Sequence, residues 1–535
     1  MIKSLFSNDN KYGWSSIDRG NYKLSIIGSD IVVSSVIDYF ERRKLENYDD
    51  IETFLNTLTS NFAFIYQDKS IVVAAVDRIS SYNVFYSSSD DVIQFSNSSR
   101  LLAKDCKETI IDNSSLINLK MNGYVLGKNT ILKNIYRIGS GEYACYDKNK
   151  NKLVIDEYTR FYSHKSVTRS QDDLIEELDH ITDNIFLRNI NNANGATIWV
   201  PLSGGIDSRL VLCKLLQLGY DNIRTFSFGV PGSYDVLRAQ EVAKRLNVDW
   251  SFLPPTSDHL KSYYNSKDRR DYWKYADGLF TVPNLQWMYA MRKLFELGKM
   301  NYGDVIINGN SGDFITGQNT PVIDINVPDS FYSKIIKKHF SLNTSLLNKS
   351  ITRDIIDDID NLIDVQLPKD VQQLAKLYDL WEWKERQSKR VVNAQRNYEY
   401  LGLRWELPLW DKEYFDFWRE LDISHKTHGS LYFKYLERKD FYGLFKEYKP
   451  FMSRWPKNRL YIQMIGSIMK YTLGPSISQQ YYKRLDWYSN YQFLYQYIGK
   501  EKFLSKHKIY RGFLPHYVDT WLSENINNNK FVNKY

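Results

Sequence analysis

The stretch Trp199-Val200-Pro201-Leu202-Ser203-Gly204-Gly205-Ile206-Asp207-Ser208-Arg209-Leu210 constrains this chain more than any other. An apolar run ends in a Ser-Gly-Gly turn, and a helical pattern follows at once. Thr197–Leu202 reads as a buried strand, and Asp207–Leu218 as a helix closed by Gly219. Adjacent glycines let the backbone turn with several N–H groups facing one anion. Ser203 and Ser208 add hydroxyl donors, and the helix N-terminus adds partial positive charge. Asp207 stands where a carboxylate can hold Mg²⁺ against phosphate oxygens. Such a loop suits a polyphosphate. It is neither a Walker A loop nor a GxGxxG loop. A Gly-Gly turn with a Ser/Asp helix cap is the plainer reading, and the strand–helix context argues against it.

The surrounding pattern extends the reading. Asn222–Phe228 and Asp249–Leu253 read as strands, Asp235–Leu246 as a helix between them, and Val305–Asn308 as a later strand. This alternation predicts a parallel sheet with right-handed crossovers. Upstream, short apolar stretches recur between turn residues: Tyr22–Ile27, Phe62–Tyr66, Ser70–Val76, Asn83–Tyr86, Val92–Phe95, Glu142–Tyr146 and Leu153–Ile155. With a helix near Asp49–Leu58, they predict a layered α+β unit of antiparallel sheets. Gln171–Asn189 carries a helical period, and the chain beyond about residue 330 is mostly helical and rich in Trp and Tyr.

Composition excludes several classes. With 43% apolar residues in 535, a wholly disordered chain is ruled out. The net charge of +8 is mild at this length and no long basic block is present, so nucleic-acid binding is not implied. No apolar run reaches transmembrane length and the start lacks a signal-peptide core, so a cytoplasmic protein without membrane insertion is expected. Cys106, Cys145 and Cys213 are too few and too scattered for a disulfide scaffold or a Cys-rich zinc site.

Ser203–Ser208 matches the PP-loop of the ATP pyrophosphatase superfamily. Further segments make the chain resemble the asparagine synthetase-like ligases. Phe226–Asp235 resembles their adenine-contacting segment, Asn308–Gly317 their second pyrophosphate and magnesium loop, and Gly402–Asp411 a Gly-Leu-Glu-x-Arg-x-Pro-Phe-Leu-Asp segment. Leu431–Leu436 and Pro450–Lys457 follow in family order, the latter ending at the family's catalytic lysine. Upstream, Asn61–Ile65, Ala75–Ile79, Phe95–Arg100, Gly123–Thr130 and Ile138–Glu142 resemble the family's glutaminase-like domain.

The resemblance implies an Ntn-hydrolase-like α+β domain over 1–165 and an adenine nucleotide alpha hydrolase-like α/β synthetase domain over 166–460; it stops there, and 461–535 reads as a helical extension. It implies Mg²⁺ and ATP as cofactors. Leu202, Ser203, Gly204, Gly205, Asp207, Ser208, Phe228, Asn308 and Gly309 would bind ATP and pyrophosphate. Asp207 and Asp313 would hold the metal, and Lys457 or Lys434 would act as catalytic lysine. The implied reaction joins a small-molecule or glycan carboxylate to ammonia or an amine through an acyl-adenylate. Intramolecular ring closure, as in β-lactam synthetases, and a catalytically silent binding protein are the alternatives. A homodimer is among the assemblies the resemblance allows.

The chain also departs from the family. Active members carry the glutaminase nucleophile, a Cys, directly after the initiator Met; here position 2 is Ile2, so a silent glutaminase half is expected. Gly28-Ser29-Asp30 is a poor match to the glutamine-binding run. Asn310 stands where many members have an acid, and Phe314 where they have Glu. Arg404 and Glu406 exchange the usual signs, which reads as a preserved pair.

Overall fold

The computed structural model describes residues 3–4, 12–42, 50–89, 92–106, 108–164, 169–321, 330–446, 459–488, 492–528 and 530–532. Among the described residues, ten strands precede residue 160: β1 (Lys3–Ser4), β2 (Ser15–Asp18), β3 (Lys23–Gly28), β4 (Phe62–Gln67), β5 (Ile71–Val76), β6 (Phe85–Ser89), β7 (Val92–Ser96), β8 (Ile135–Arg137), β9 (Glu142–Asp147) and β10 (Lys152–Glu157). They form an antiparallel six-stranded sheet, ordered β10-β9-β5-β4-β3-β2, and a four-stranded sheet, β1-β7-β6-β8, in which only β1 pairs in parallel.

Strand alternation explains the layering. In β4, Phe62, Phe64 and Tyr66 face the helix Asp30–Arg42, while Ala63 and Ile65 face the core between the sheets. The helix buries Val32, Val36 and Phe40, one face at four-residue spacing, and Phe40 stacks on Tyr66 at 3.8 Å between ring centroids. This helix was not anticipated from sequence. The expected helix near Asp49–Leu58 is the short Ile51–Leu55.

The second layer system is a five-stranded parallel sheet: β11 (Ile198–Pro201), β12 (Ile223–Phe228), β13 (Asp249–Leu253), β14 (Val305–Ile307) and β15 (Arg404–Glu406). Its order is β13-β12-β11-β14-β15. The central strand β11 is buried at every position, as expected where helices cover both faces of a parallel sheet. The fifth strand lies in the Gly402–Asp411 segment, too short for a periodic signal. The two systems share one continuous apolar core that includes Trp14, Ile65 and Phe85 as well as Trp199, Trp410 and Trp521. Buried polar links cross it: Arg100 pairs with Asp277 and donates to Asn525 Oδ1 at 2.8 Å, and the Val125 N–H donates to the Phe280 carbonyl at 2.7 Å. No helix among the described residues is long and apolar enough to cross a membrane.

Candidate active site

Strand order locates the site. Going from β11, the chain builds outward through β12 and β13 on one side, then returns to add β14 and β15 on the other. The reversal lies between β11 and β14, and ligands of open parallel sheets bind beyond the carboxyl ends of strands at such a point. Two loops leave there: Leu202–Gly205 after β11 and Asn308–Ser311 after β14.

The loops meet on Asp207, in the first turn of the helix Ile206–Gln217. A Cβ on Gly309 would lie 2.7 Å from the Asp207 carbonyl carbon, and one on Gly312 would lie 2.5 Å from Asp207 Oδ1. Glycine at both positions is therefore a packing requirement. Ser311 adopts φ +68°, a left-handed turn that helps fold the loop back, and its Oγ donates to Gln387 Oε1 at 2.8 Å. Tyr432 donates its hydroxyl to Asp207 Oδ1 at 2.8 Å. Burial first, then the neighbouring Asp313 carboxylate, pushes the Asp207 carboxyl up to about 7.

The first loop is internally satisfied. The Ser203 N–H donates to Ser208 Oγ at 3.1 Å, the two serine hydroxyls are 3.1 Å apart, and the Gly205 N–H donates to Ser203 Oγ at 3.1 Å. Gly204 approaches Asp235, where a Cβ would fall 2.8 Å from Oδ1. Arg209 is fully buried beneath the loop and donates to the carbonyls of Gly204 at 3.2 Å and Leu444 at 2.7 Å. In the second loop, Asn308 donates to Gln395 Oε1 at 2.7 Å, and its Oδ1 accepts the Asn310 N–H at 3.0 Å.

Residues 197–447 match the family model described as asparagine synthase. The matched stretch is a little under half of the chain. A probable glutamine-hydrolysing asparagine synthetase of Acanthamoeba polyphaga mimivirus is 24% identical over 274 residues, covering 48% of this chain and 46% of the relative. The match thus spans about half the length of that curated relative. Among solved structures, glutamine phosphoribosylpyrophosphate amidotransferase from B. subtilis, complexed with ADP and GMP, is 9% identical over 56% of this chain and 58% of its own, with a TM-score of 0.18. A score that low carries no structural argument.

Within the matched segment, Ser203, Gly204, Gly205, Asp207, Ser208, Asn308, Gly309 and Asp313 come together around the two loops. Leu202 is tied to the neighbouring strand by its N–H to the Phe226 carbonyl at 2.9 Å. Phe228 ends β12 and meets Trp287 edge-on at 5.0 Å. Lys434 is not brought to them: it is exposed and donates to Gln171 Oε1 at 2.9 Å. On the helix Ser430–Lys439 it projects away from Tyr432, two residues earlier, which does enter the site. Lys457 lies outside the described residues. Arg404 and Glu406 form no ion pair within 4 Å. Arg404 donates to the carbonyls of Gly303, Asn192 and Ala193, and Glu406 Oε1 accepts from Asn192. Gly28-Ser29-Asp30 lines a cavity of about 390 Å³ that Glu406 also borders.

Tyr432, Gly312 and Arg209 were not singled out from sequence. Tyr432 and Tyr435 share the buried face of their helix with Leu431 and Leu436, so a hydroxyl on an apolar face was the available signal.

Proposed function

We propose that the chain is an ATP-dependent amide-forming ligase that activates a carboxylate as an acyl-adenylate. The observation that supports this best is the closure of two glycine loops on Asp207 at the sheet's reversal point. The polyphosphate would lie along Ser203–Ser208, whose hydroxyls bond one another in the free loop and can turn toward phosphate oxygens. Asp207 and Asp313 fit Mg²⁺. Burial, then the Asp313 carboxylate, raises the Asp207 pKa; a divalent cation would relieve the repulsion between the two, and Mg²⁺ commonly takes one or two carboxylates plus phosphate oxygens. No cluster of three or more His, Cys, Asp or Glu suited to a metal occurs among the described residues, so the phosphates would complete the shell. When bound, Mg²⁺ would neutralise charge on the departing pyrophosphate.

An acceptor carboxylate oxygen attacks the α-phosphorus, the bond to the α,β-bridging oxygen breaks, and pyrophosphate leaves. An amine then attacks the acyl carbon and AMP departs. We assign ammonia or an amine as nitrogen donor. Burial pushes the Cys145 thiol up to about 11 and Cys213 up to about 12, and raises Cys106, the opposite of an activated nucleophile.

The test is pyrophosphate release from ATP with Mg²⁺ and ammonium, screened over carboxylates, for the natural chain and Asp207→Asn. The proposal requires acceptor-dependent release that drops at least a hundredfold in the variant. Release independent of any acceptor, or unaffected by Asp207→Asn, refutes it.

A further inference from the structure

A second cavity, of about 590 Å³, adjoins the same site. Asn310 of the second loop lines it, as does Trp287, the ring that meets Phe228. It is therefore continuous with the loop that closes on Asp207, and its size falls within the range of small-molecule sites.

Its walls are cationic. Lys338, Arg386, Arg390 and Arg511 face it against one acid, Asp486. Behind the wall, the fully buried Glu382 accepts from Lys338 at 2.7 Å and Arg386 at 3.2 Å. Arg390 and Arg511 have no carboxylate within 4 Å among the described residues; the Arg511 guanidinium donates to Ser341 Oγ at 2.6 Å. Burial holds His339 near 3, so it adds no charge at neutral pH. Arg386 and Arg390 come from Trp383–Val392, a π-helical stretch, an irregularity that concentrates at functional sites.

The cavity also carries unfinished hydrogen bonding. Asn122 is 4% exposed and Tyr124 is 1% exposed, and neither the Asn122 amide nor the Tyr124 hydroxyl has a partner among the described residues. One terminal nitrogen of Arg390 is likewise unpaired. Buried polar groups without partners are costly, and their clustering in a cationic cavity points to a ligand that supplies acceptors. Asn310 agrees, since its amide adds no negative charge to the wall.

We infer that this cavity is the acceptor site of the proposed ligase and selects a polyanionic acceptor, one bearing a second carboxylate or a phosphate besides the carboxylate to be activated. The inference rests on the ligase reading, with Arg390 and Arg511 as its binding residues.

The test is calorimetric binding of two probe pairs to the full chain: glycerate against 3-phosphoglycerate, and butyrate against tricarballylate. The polyanion of at least one pair should bind at least tenfold more tightly than its single-charge partner, and which pair does so separates phosphate from carboxylate recognition. Arg390→Gln and Arg511→Gln should each weaken that binding at least fivefold and leave Mg-ATP affinity within twofold. Arg511 is exposed, so its variant keeps the test valid if Arg390→Gln fails to fold. Equal binding within both pairs, or no effect of either substitution, overturns the inference. So does an equal loss of ATP affinity, which would assign the arginines to the nucleotide. Charge-selective binding in a chain that releases no pyrophosphate with any carboxylate would refute the ligase reading and support the anion site.

Discussion

Gly312→Ala probes the closure of the two loops directly. The added Cβ would sit 2.5 Å from Asp207 Oδ1 and 2.7 Å from Oδ2, about 0.9 Å short of ordinary van der Waals contact at the closer atom. Overpacking of this kind costs about 1–3 kcal/mol, and a shift of about 1 Å at a reacting centre costs about a hundredfold in rate. The obstructing atoms all belong to the Asp207 carboxyl, which makes a double-mutant cycle decisive. In the Asp207→Ala background the same substitution should cost under about 0.5 kcal/mol, because nothing remains to collide with. Gly309→Ala behaves differently. Its Cβ would meet the Asp207 backbone carbon and Cβ at 2.7 Å, atoms that alanine retains, so its cost should persist in both backgrounds. Denaturant unfolding of the four chains in each cycle measures the coupling, and pyrophosphate release follows the rate. Equal destabilisation by Gly312→Ala in both backgrounds would refute the geometry, as would rescue of Gly309→Ala.

Tyr432→Phe removes the 2.8 Å bond to Asp207 and should cost about 1–2 kcal/mol in unfolding free energy, with pyrophosphate release reduced about tenfold. Unchanged release would exclude a role for that hydroxyl. Lys434→Ala should leave stability within about 0.5 kcal/mol and release within about twofold, since the side chain is exposed and reaches only Gln171; a large loss would return it to the site. Glu406 is held up at about 7, chiefly by burial, above its ordinary 4.5. The folded form keeps the extra proton, so the contribution is complete below about pH 4.5 and is lost as pH rises through 7. Unfolding measured from pH 4.5 to 8 should show the natural chain losing up to about 3 kcal/mol relative to Glu406→Gln. A pH-independent difference between the two would contradict the burial.

Long, strongly patterned elements were legible in advance. Residues 197–253 alternate between four- to six-residue apolar runs and helices with Gly-rich starts, and β11, β12, β13 and the intervening helices follow that pattern within a residue or two. The helix Asp30–Arg42 was missed because its apolar residues Ile31, Val32, Val33, Val36 and Ile37 are all β-branched, a run that carries strand rather than helix propensity. β15 was missed because three residues carry no period. For the site, residues contiguous with a motif were accessible, while those arriving from afar were not. Arg386 and Arg390 lie within Lys384-Glu-Arg-Gln-Ser-Lys-Arg390, a charged run that carries no motif. Only the fold shows that Glu385, Gln387 and Lys389 are buried there, with Arg386 and Arg390 turned to a cavity. The expectation of an Arg404–Glu406 pair failed because the guanidinium is used by three backbone carbonyls.

The shared apolar core bears on the inheritance of this chain. Arg100 reaches Asp277 and Asn525, Asn83 donates to Asn393 Oδ1 at 3.1 Å, and the Trp383 indole donates to the Arg78 carbonyl at 2.8 Å. A deletion of the antiparallel sheets would take the Arg100 cation from the buried Asp277, the Asn83 donor from Asn393 Oδ1 and the acceptor from the Trp383 N–H, each costing about 1–3 kcal/mol. Selection would therefore retain the first half for these contacts, whatever chemistry it performs. Substitutions at Arg78, Asn83 and Arg100 would be purged for instability of the whole chain.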